Sequence, residues 1–353
     1  MTHLRYFAPL VLSALKKGFK CEFLIHSRGK YNCVGEHLPA LQSFCKGTGA
    51  TIAPAQGFKK TNQIIFCVEG AKGDHNKFAS GHISLDNRIF VLTYQNDFHF
   101  NYINYKDFAE KVFIPSQYMI DISDKHKGMP NYTFDSSLKK NIGIGSPKYD
   151  VKIDKKEVIE KYSLSSGSKA LFIFPNKGIG LSSGPLYNNK EPYGLSMDNL
   201  ICLYQIIQSL GIEILVKNRG KHPLEGKWKK FKGDRYFVDN SWYPHTTMEL
   251  IEVSDFIINV DSTVIKESVL GRTPCLNFAL RDYSRYIKGY DFLYNYPYCV
   301  QFHQFPSPQE IISSINFLRS TDFSSDFDLS ISRHLFERGS VSDKILDHIA
   351  NEV

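Results

Sequence analysis

SDFIINVDSTVIKESVLGRTPCLNF, residues 254–278, is the stretch that decides the fold of this chain. The mostly apolar run Phe256–Val260 is typical of a parallel strand that other elements cover on both faces. Ser262 and Thr263 precede a helical pattern, and Pro274 leads into a second apolar run. The stretch therefore predicts a strand, a short loop with two hydroxyls, a helix and a second parallel strand.

The loop of this stretch is a candidate phosphate site. Unpaired N–H groups at a helix start and the helix dipole favour a phosphate, so we expect Ser262 and Thr263 to bind one. Glu267, one turn further along, is expected to reach a ribose hydroxyl. The alternative is that the two hydroxyls only cap the helix, as such residues commonly do. Gly271 is expected to end the helix in the left-handed conformation.

The same residues resemble the donor-nucleotide loop of GT-B-fold transferases. Their order is similar to S-[TS]-x-x-x-E-[AS]-x-x-x-G-x-P in capsule and lipopolysaccharide glycosyltransferases and in UDP-N-acetylglucosamine 2-epimerases. It also resembles D-Y-S-S-x-x-x-[DE] in the CDP-glycerol glycerophosphotransferases. The residues that carry the resemblance are Ser262, Thr263, Glu267, Gly271 and Pro274.

Apolar runs alternate with helical patterns along the chain, which predicts a parallel α/β architecture. With the resemblance, this implies a GT-B fold of two doubly wound, Rossmann-like domains facing a cleft. Residues 141–150, NIGIGSPKYD, resemble the G-x-P-[KR]-x-D element that closes the first domain of glycerophosphotransferase-like proteins. We therefore expect an acceptor-side domain over 1–150 and a nucleotide-donor domain with closing helices over 151–353. GT-B proteins have a strand and a glycine-rich turn before the first helix, so a helix at Leu4 suggests that the sequence starts late.

Two further strand-end loops are expected on the donor side. Lys217, His222 and Pro223 follow a strand and loosely resemble the K-x-H-P element of these transferases, which implies contact with the donor phosphate. Asn176 and Lys177 lie in a glycine-containing loop that would let the backbone approach a phosphate. The alternatives are a solvated basic loop and an ordinary interdomain loop.

Glu69 and Asp97 are the candidate catalytic bases, because a transferase must deprotonate its acceptor hydroxyl. Glu69 with Gly70 resembles the acidic-acidic-glycine element of CMP-sialic acid and 3-deoxy-octulosonate transferases. Asp97 follows the strand on which glycerophosphotransferases carry a His-Gly pair, and that pair is missing here. Either acid could instead be a cap or turn residue.

The composition narrows the classes of function. The 353 residues carry a formal charge of +7. The basic residues are mostly scattered, which argues against nucleic acid and fits anionic ligands. The seven cysteines show no paired short spacing, so we expect free thiols in a reducing compartment and no structural metal. With neither a signal peptide nor a long apolar run, the expected location is the cytoplasm, with peripheral contact at the inner membrane left open.

Together these features predict an inverting, metal-independent glycosyltransferase that needs no cofactor. It would move a sugar from a nucleotide-activated donor, with a CMP-linked acidic sugar favoured, to a glycan or lipid-linked glycan of a surface polysaccharide. The alternatives are a CDP-glycerol or other polyol phosphotransferase, a UDP-sugar 2-epimerase and a non-catalytic GT-B binding module.

Overall fold

The computed structural model describes residues 4–25, 34–55, 58–68, 86–92, 109–123, 140–173, 197–218, 231–238, 243–260, 262–278, 293–335 and 339–351. The chain divides into two compact units. One comprises residues 1–151 together with 332–353, and the other comprises residues 152–331. Among the described residues, none of the helices combines the length and apolar character needed to cross a bilayer.

Helices and strands are interspersed along the described part of the chain. Up to residue 151 they are α1 (Leu4–Lys16), β1 (Glu22–Ile25), α2 (Val34–Thr48), β2 (Thr51–Pro54), β3 (Ile64–Val68), β4 (Arg88–Leu92), β5 (Lys111–Ile114), α3 (Gln117–Ser123) and β6 (Asn141–Gly143). Beyond it they are α4 (Lys155–Tyr162), β7 (Lys169–Ile173), α5 (Met197–Ser209), β8 (Glu213–Lys217), β9 (Arg235–Phe237), α6 (Thr246–Glu252), β10 (Phe256–Asn259), α7 (Ile265–Leu270), β11 (Cys275–Phe278), β12 (Cys299–Phe302), α8 (Pro308–Ser320), α9 (Ser324–Ser330) and α10 (Val341–Ala350).

The first unit is built on a parallel sheet of four strands in the order β3-β4-β5-β6, and β1 pairs with β2 in a separate parallel sheet. Phe90 and Phe113 stack on neighbouring strands with their ring centroids 5.9 Å apart. Tyr6 of α1 and Ile345 of α10 belong to the same buried cluster as these rings. The core therefore joins helices from both ends of the chain to one sheet.

The closing segment of the chain differs from the expected domain division. The first unit ends at Val151, next to the expected boundary, but residues 332–353 belong to the first unit and not to the second. The reason is the apolar face of α10, since Val341, Ile345 and Ile349 are buried in the cluster around the first sheet.

The second unit contains a parallel sheet of six strands in the order β12-β11-β10-β7-β8-β9. β7, β10 and β11 are buried at every position, which confirms strands that are covered on both faces. From β7 the chain proceeds outward through β8 and β9, and it then returns to β10 on the other side of β7. This order is that of a doubly wound Rossmann-like sheet, and its direction reverses between β7 and β10.

Residues 254–278 form the predicted strand, helix and strand, but the helix stops differently. Gly271 has φ −78°, and Arg272, with φ +53°, takes the left-handed conformation. The glycine is required for space, because a Cβ there would lie 2.7 Å from Ile251 Cγ2 and 3.3 Å from the Glu267 carbonyl oxygen. The expected left-handed stop at Gly271 is therefore wrong by one residue.

This packing predicts opposite responses at neighbouring positions. Gly271→Ala should destabilise the second unit by about 1–3 kcal/mol, because the added methyl overpacks against Ile251. Arg272→Gly should leave stability unchanged or raise it, because glycine relieves the left-handed strain and the lost ion pair with Asp328 is exposed. Urea unfolding of both variants tests this, and a Gly271→Ala protein as stable as the wild type would contradict it.

The start of α10 gives a second prediction. The Asp150 carboxylate accepts hydrogen bonds from the backbone N–H groups of Gly339 (3.1 Å), Val341 (3.1 Å) and Ser342. Hydrogen bonds to a charged group are worth about 1.5–3 kcal/mol, so Asp150→Ala should destabilise the first unit by at least that amount. Thermal unfolding and limited proteolysis of α10 provide the measurement.

Asp154 is the matched control, because its carboxylate caps α4 by accepting from the N–H groups of Lys156 (2.7 Å) and Glu157 (3.3 Å). Asp154→Ala should cost about 1 kcal/mol, as for an ordinary cap, and should leave α10 resistant to protease. Equal effects of the two substitutions would show that Asp150 does no more than cap a helix.

Candidate functional site

The carboxyl edge of the six-stranded sheet, at the reversal between β7 and β10, is the candidate site. Doubly wound sheets bind ligands in the crevice that forms outside the strand ends at such a reversal. Ser262 and Thr263 follow β10 at this edge, as the sequence predicts, and Lys217 is the last residue of β8. The topology therefore brings two of the predicted loops to one edge of one sheet.

The hydroxyls of Ser262 and Thr263 do not cap α7. The cap position is Val264, with no side-chain hydrogen bond to the helix start. Among the described residues, Ser262 Oγ accepts one long bond, of 3.5 Å, from the Val264 N–H. In the described part of the chain the Thr263 hydroxyl has no hydrogen bond. The expected alternative, that both residues are only caps, does not fit this geometry.

α7 is also too short to have a large dipole. It has six residues, from Ile265 to Leu270, so its dipole is small. Any affinity of the loop for a phosphate must therefore come from individual donors in the loop rather than from the helix as a whole.

Beneath the loop lies a row of amide side chains that sequence analysis missed. Asn259, Asn277 and Gln301 occupy equivalent positions on β10, β11 and β12, so their side chains share one face of the sheet. Asn259 is 0% exposed and Asn277 is 1% exposed. The Asn259 amide donates to Asn277 Oδ1 over 3.1 Å. Each amide lies in an otherwise apolar run, and the separations in sequence give no sign that they meet.

This row holds the loop through one main-chain atom, the carbonyl oxygen of Ser262. It accepts hydrogen bonds from Asn259 Nδ2 at 3.1 Å and from the Tyr294 hydroxyl at 2.7 Å. Tyr294 is 5% exposed, and its own carbonyl accepts from Gln301 Nε2 at 2.8 Å. Two buried side chains therefore fix the position of the loop.

Lys217 lies at the same edge but faces the protein interior. It pairs with Ile173 at the end of β7, and because β8 and β10 both neighbour β7, the two strands lie about 10 Å apart. Lys217 is 3% exposed, and its ammonium donates to the Asn218 carbonyl over 2.7 Å. Its predicted contact with a phosphate stays a prediction.

The remaining candidate residues are not tested by these contacts. Glu267 lies in the first turn of α7 and is half-buried, and its predicted ribose contact stays a prediction. Six other predicted site residues lie outside the described part of the chain, namely Glu69, Asp97, Asn176, Lys177, His222 and Pro223.

The Cys275 thiol on β11 is not suited to nucleophilic chemistry. Burial, with a hydrogen bond to Cys299, holds the pKa of the Cys275 thiol well above its ordinary value, so this thiol is protonated at neutral pH. Within the ranges that the structure describes, no group of three or more His, Cys, Asp or Glu side chains could hold a metal ion.

Comparisons with known proteins find similarity in structure alone. No protein-family model matches the chain, and no curated protein matches it. A protein from Listeria monocytogenes assigned as a UDP-N-acetylglucosamine 2-epimerase has a TM-score of 0.59 at 11% identity, over 99% of this chain and 93% of that one. A variant of the wall teichoic acid polymerase TagF soaked with CDPG has a TM-score of 0.51 at 17% identity, over 81% and 72%.

A third solved structure is the UDP-GlcNAc 2-epimerase of Methanocaldococcus jannaschii in complex with UDP-GlcNAc and UDP. Its TM-score is 0.51 at 9% identity, over 99% of this chain and 96% of that one. At such identities the similarity carries information about the fold. The chain therefore has the α/β fold of these GT-B proteins, with parallel sheets in two Rossmann-like units, as the sequence predicts.

Proposed function

We propose that this chain is a GT-B enzyme that binds a nucleotide-activated donor at the carboxyl edge of the second unit's sheet. The observation that carries the proposal is the state of the loop after β10. Its Ser262 carbonyl is held by buried side chains, whereas the hydroxyls of Ser262 and Thr263 are not used as caps. Half-buried donors at a sheet reversal are suited to binding a phosphate.

In the proposed complex the loop hydroxyls donate to the donor phosphate nearest the sugar. Glu267 accepts from a ribose hydroxyl, and Lys217, two strand spacings from β10, adds positive potential near the phosphate. His222 with Pro223, and Asn176 with Lys177, complete the predicted donor contacts. These assignments follow from the strand-end positions of the residues and from the family resemblance.

The proposed reaction is a direct, inverting displacement. Glu69 or Asp97 takes the proton of the acceptor hydroxyl, and the acceptor oxygen forms a bond to the anomeric carbon as the bond to the phosphate oxygen breaks. Charge grows on the leaving phosphate, so donors aimed at it stabilise the transition state more than the ground state. With these donors the reaction would need no divalent metal or cofactor.

The proposed donor is a CMP-linked acidic sugar, and the acceptor is a glycan or lipid-linked glycan of a surface polysaccharide. The fold similarity to TagF with CDPG supports a second candidate, a CDP-polyol phosphotransferase, although the His-Gly pair of those enzymes is missing near Asp97. Similarity to the two epimerases supports a third, a UDP-sugar 2-epimerase. A non-catalytic module predicts no turnover of any donor.

A thermal-shift panel of CMP, CDP, UDP and GDP tests the proposal. A nucleotide that binds only the folded protein should raise the melting temperature, with about 2.7 kcal/mol of stabilisation at a concentration of 100 times Kd. We expect a cytidine nucleotide to give the largest shift, and the shift should persist in EDTA. The absence of any shift at millimolar nucleotide would refute the donor site, and a shift only with UDP would favour the epimerase.

Substitutions in the loop give a sharper prediction. Ser262→Ala and Thr263→Ala should change the free energy of unfolding by less than about 0.5 kcal/mol, because neither hydroxyl caps the helix. Each should weaken binding of the nucleotide that shifts the wild type about tenfold, because a hydrogen bond to a charged group is worth about 1.5–3 kcal/mol. Calorimetric titration of both variants and of the double variant provides the measurement.

Ser307 is the matched control, because it is a true cap at the start of α8. Its hydroxyl accepts from the Glu310 N–H at 3.3 Å in a reciprocal capping box. Ser307→Ala should cost about 1 kcal/mol of stability without changing nucleotide affinity. If the loop variants behave like Ser307→Ala, the loop after β10 is an ordinary helix start and the donor site lies elsewhere.

A further inference from the structure

We infer that Tyr294 and Asn259 are positioning residues, which orient the Thr263 backbone N–H and the adjoining hydroxyls toward the donor phosphate. The inference rests on the proposed function and adds residues to it that no sequence motif indicated. It concerns the two buried donors to the Ser262 carbonyl, neither of which needs to touch the ligand.

The peptide unit between Ser262 and Thr263 is held by its carbonyl oxygen. The Ser262 carbonyl oxygen accepts from Tyr294 Oη at 2.7 Å and from Asn259 Nδ2 at 3.1 Å, and the Ile265 N–H lies 3.3 Å away. In a trans peptide the C=O and the following N–H point in opposite directions. With the Ser262 carbonyl held against the buried amide row, the Thr263 N–H must point away from that row.

The Thr263 N–H has no partner among the described residues. Most backbone N–H groups in a folded protein have a partner. In the described part of the chain the Thr263 N–H makes no hydrogen bond to the protein, and the Thr263 hydroxyl beside it makes none either. A backbone donor that points away from the buried row, with a hydroxyl on the same residue, forms a pair that suits a phosphate oxygen.

The buried amide row includes an unfavourable feature, an unpaired acceptor on Asn259. Asn259 is 0% exposed, and among the described residues its buried Oδ1 has no hydrogen-bond partner. A buried acceptor without a donor is destabilising, and an apolar residue at this position of β10 would avoid that loss. Packing alone therefore does not account for an amide here. The hydrogen bond from Asn259 Nδ2 to the Ser262 carbonyl does account for an amide at this position.

Tyr294→Phe is the variant that tests the inference, since it removes one hydroxyl and keeps the ring. Tyr298→Phe is the matched control, because Tyr298 is 0% exposed and its hydroxyl makes a 2.9 Å hydrogen bond to Ser330 Oγ. Tyr298 immediately precedes β12, so it lies at the opposite edge of the same sheet from the loop. Both variants should lose stability, because each removes a buried hydrogen bond. The loss should be at least as large for Tyr294→Phe, since the Tyr294 hydroxyl also accepts a 3.4 Å bond from Asn259 Nδ2.

The readout is affinity for CDP and for cytidine, measured in competition, with UDP and uridine in parallel. Tyr294→Phe should weaken binding of the diphosphate about three- to tenfold and leave binding of the nucleoside unchanged, whereas Tyr298→Phe should change neither. Asn259→Leu should have the larger effect, since it removes the second donor to the Ser262 carbonyl. If Asn259→Leu does not fold, the comparison of Tyr294→Phe with Tyr298→Phe still tests the inference.

The outcomes separate this inference from the proposed function. If the wild type binds neither diphosphate, the donor site and the positioning residues are both refuted. If the wild type binds CDP or UDP and both tyrosine variants bind it equally well, the proposed function stands and the inference is overturned. Equal loss of diphosphate and nucleoside by Tyr294→Phe would also overturn it, because that result indicates general damage to the site.

Discussion

Burial of the central strands on both faces is the constraint on which the second unit depends. β7, β10 and β11 are buried at every position, and each large apolar side chain removed from water contributes about 1.5–3 kcal/mol. Such strands leave little room for polar groups except near their ends. Because the strands are parallel, all their carboxyl ends meet at one edge, where Lys217, Asn259 and Asn277 lie. The arrangement that makes the sheet stable therefore also gathers its polar chemistry in one place.

The parts of the fold that depend on local pattern could be predicted from the sequence. Apolar runs such as Phe256–Val260 predicted the buried strands, and the alternation with helices predicted the parallel α/β fold. The assignment of α10 to the first unit could not be predicted, because an apolar helix face does not say which sheet it covers. The stop at Gly271 was misjudged for a similar reason, since its close approach to Ile251 depends on the packing of α6 against α7.

Some residues of the candidate site could likewise be predicted from the sequence, and others could not. Ser262 and Thr263 could be found because a strand, two hydroxyls and a helix are adjacent in the sequence. Whether these hydroxyls act as caps depends on where the helix begins, and it begins at Ile265, too late for them to cap it well. The contacts of Asn259 with Asn277 and Tyr294 depend on strand register and on the position of residue 294 beside β10. No local pattern specifies either feature.

The three candidate reactions share a nucleotide phosphate and differ in what happens to the group attached to it. A loop that holds a phosphate is useful to all three, so the geometry after β10 bears on binding rather than on the choice of reaction. That choice depends on the base and on the acceptor, and the candidate bases Glu69 and Asp97 lie in the first 151 residues of the chain. In the proposed enzyme, binding and chemistry therefore belong to different units. A substitution such as Ser262→Ala should weaken every donor alike, and only a change at the acids should distinguish transfer from epimerisation.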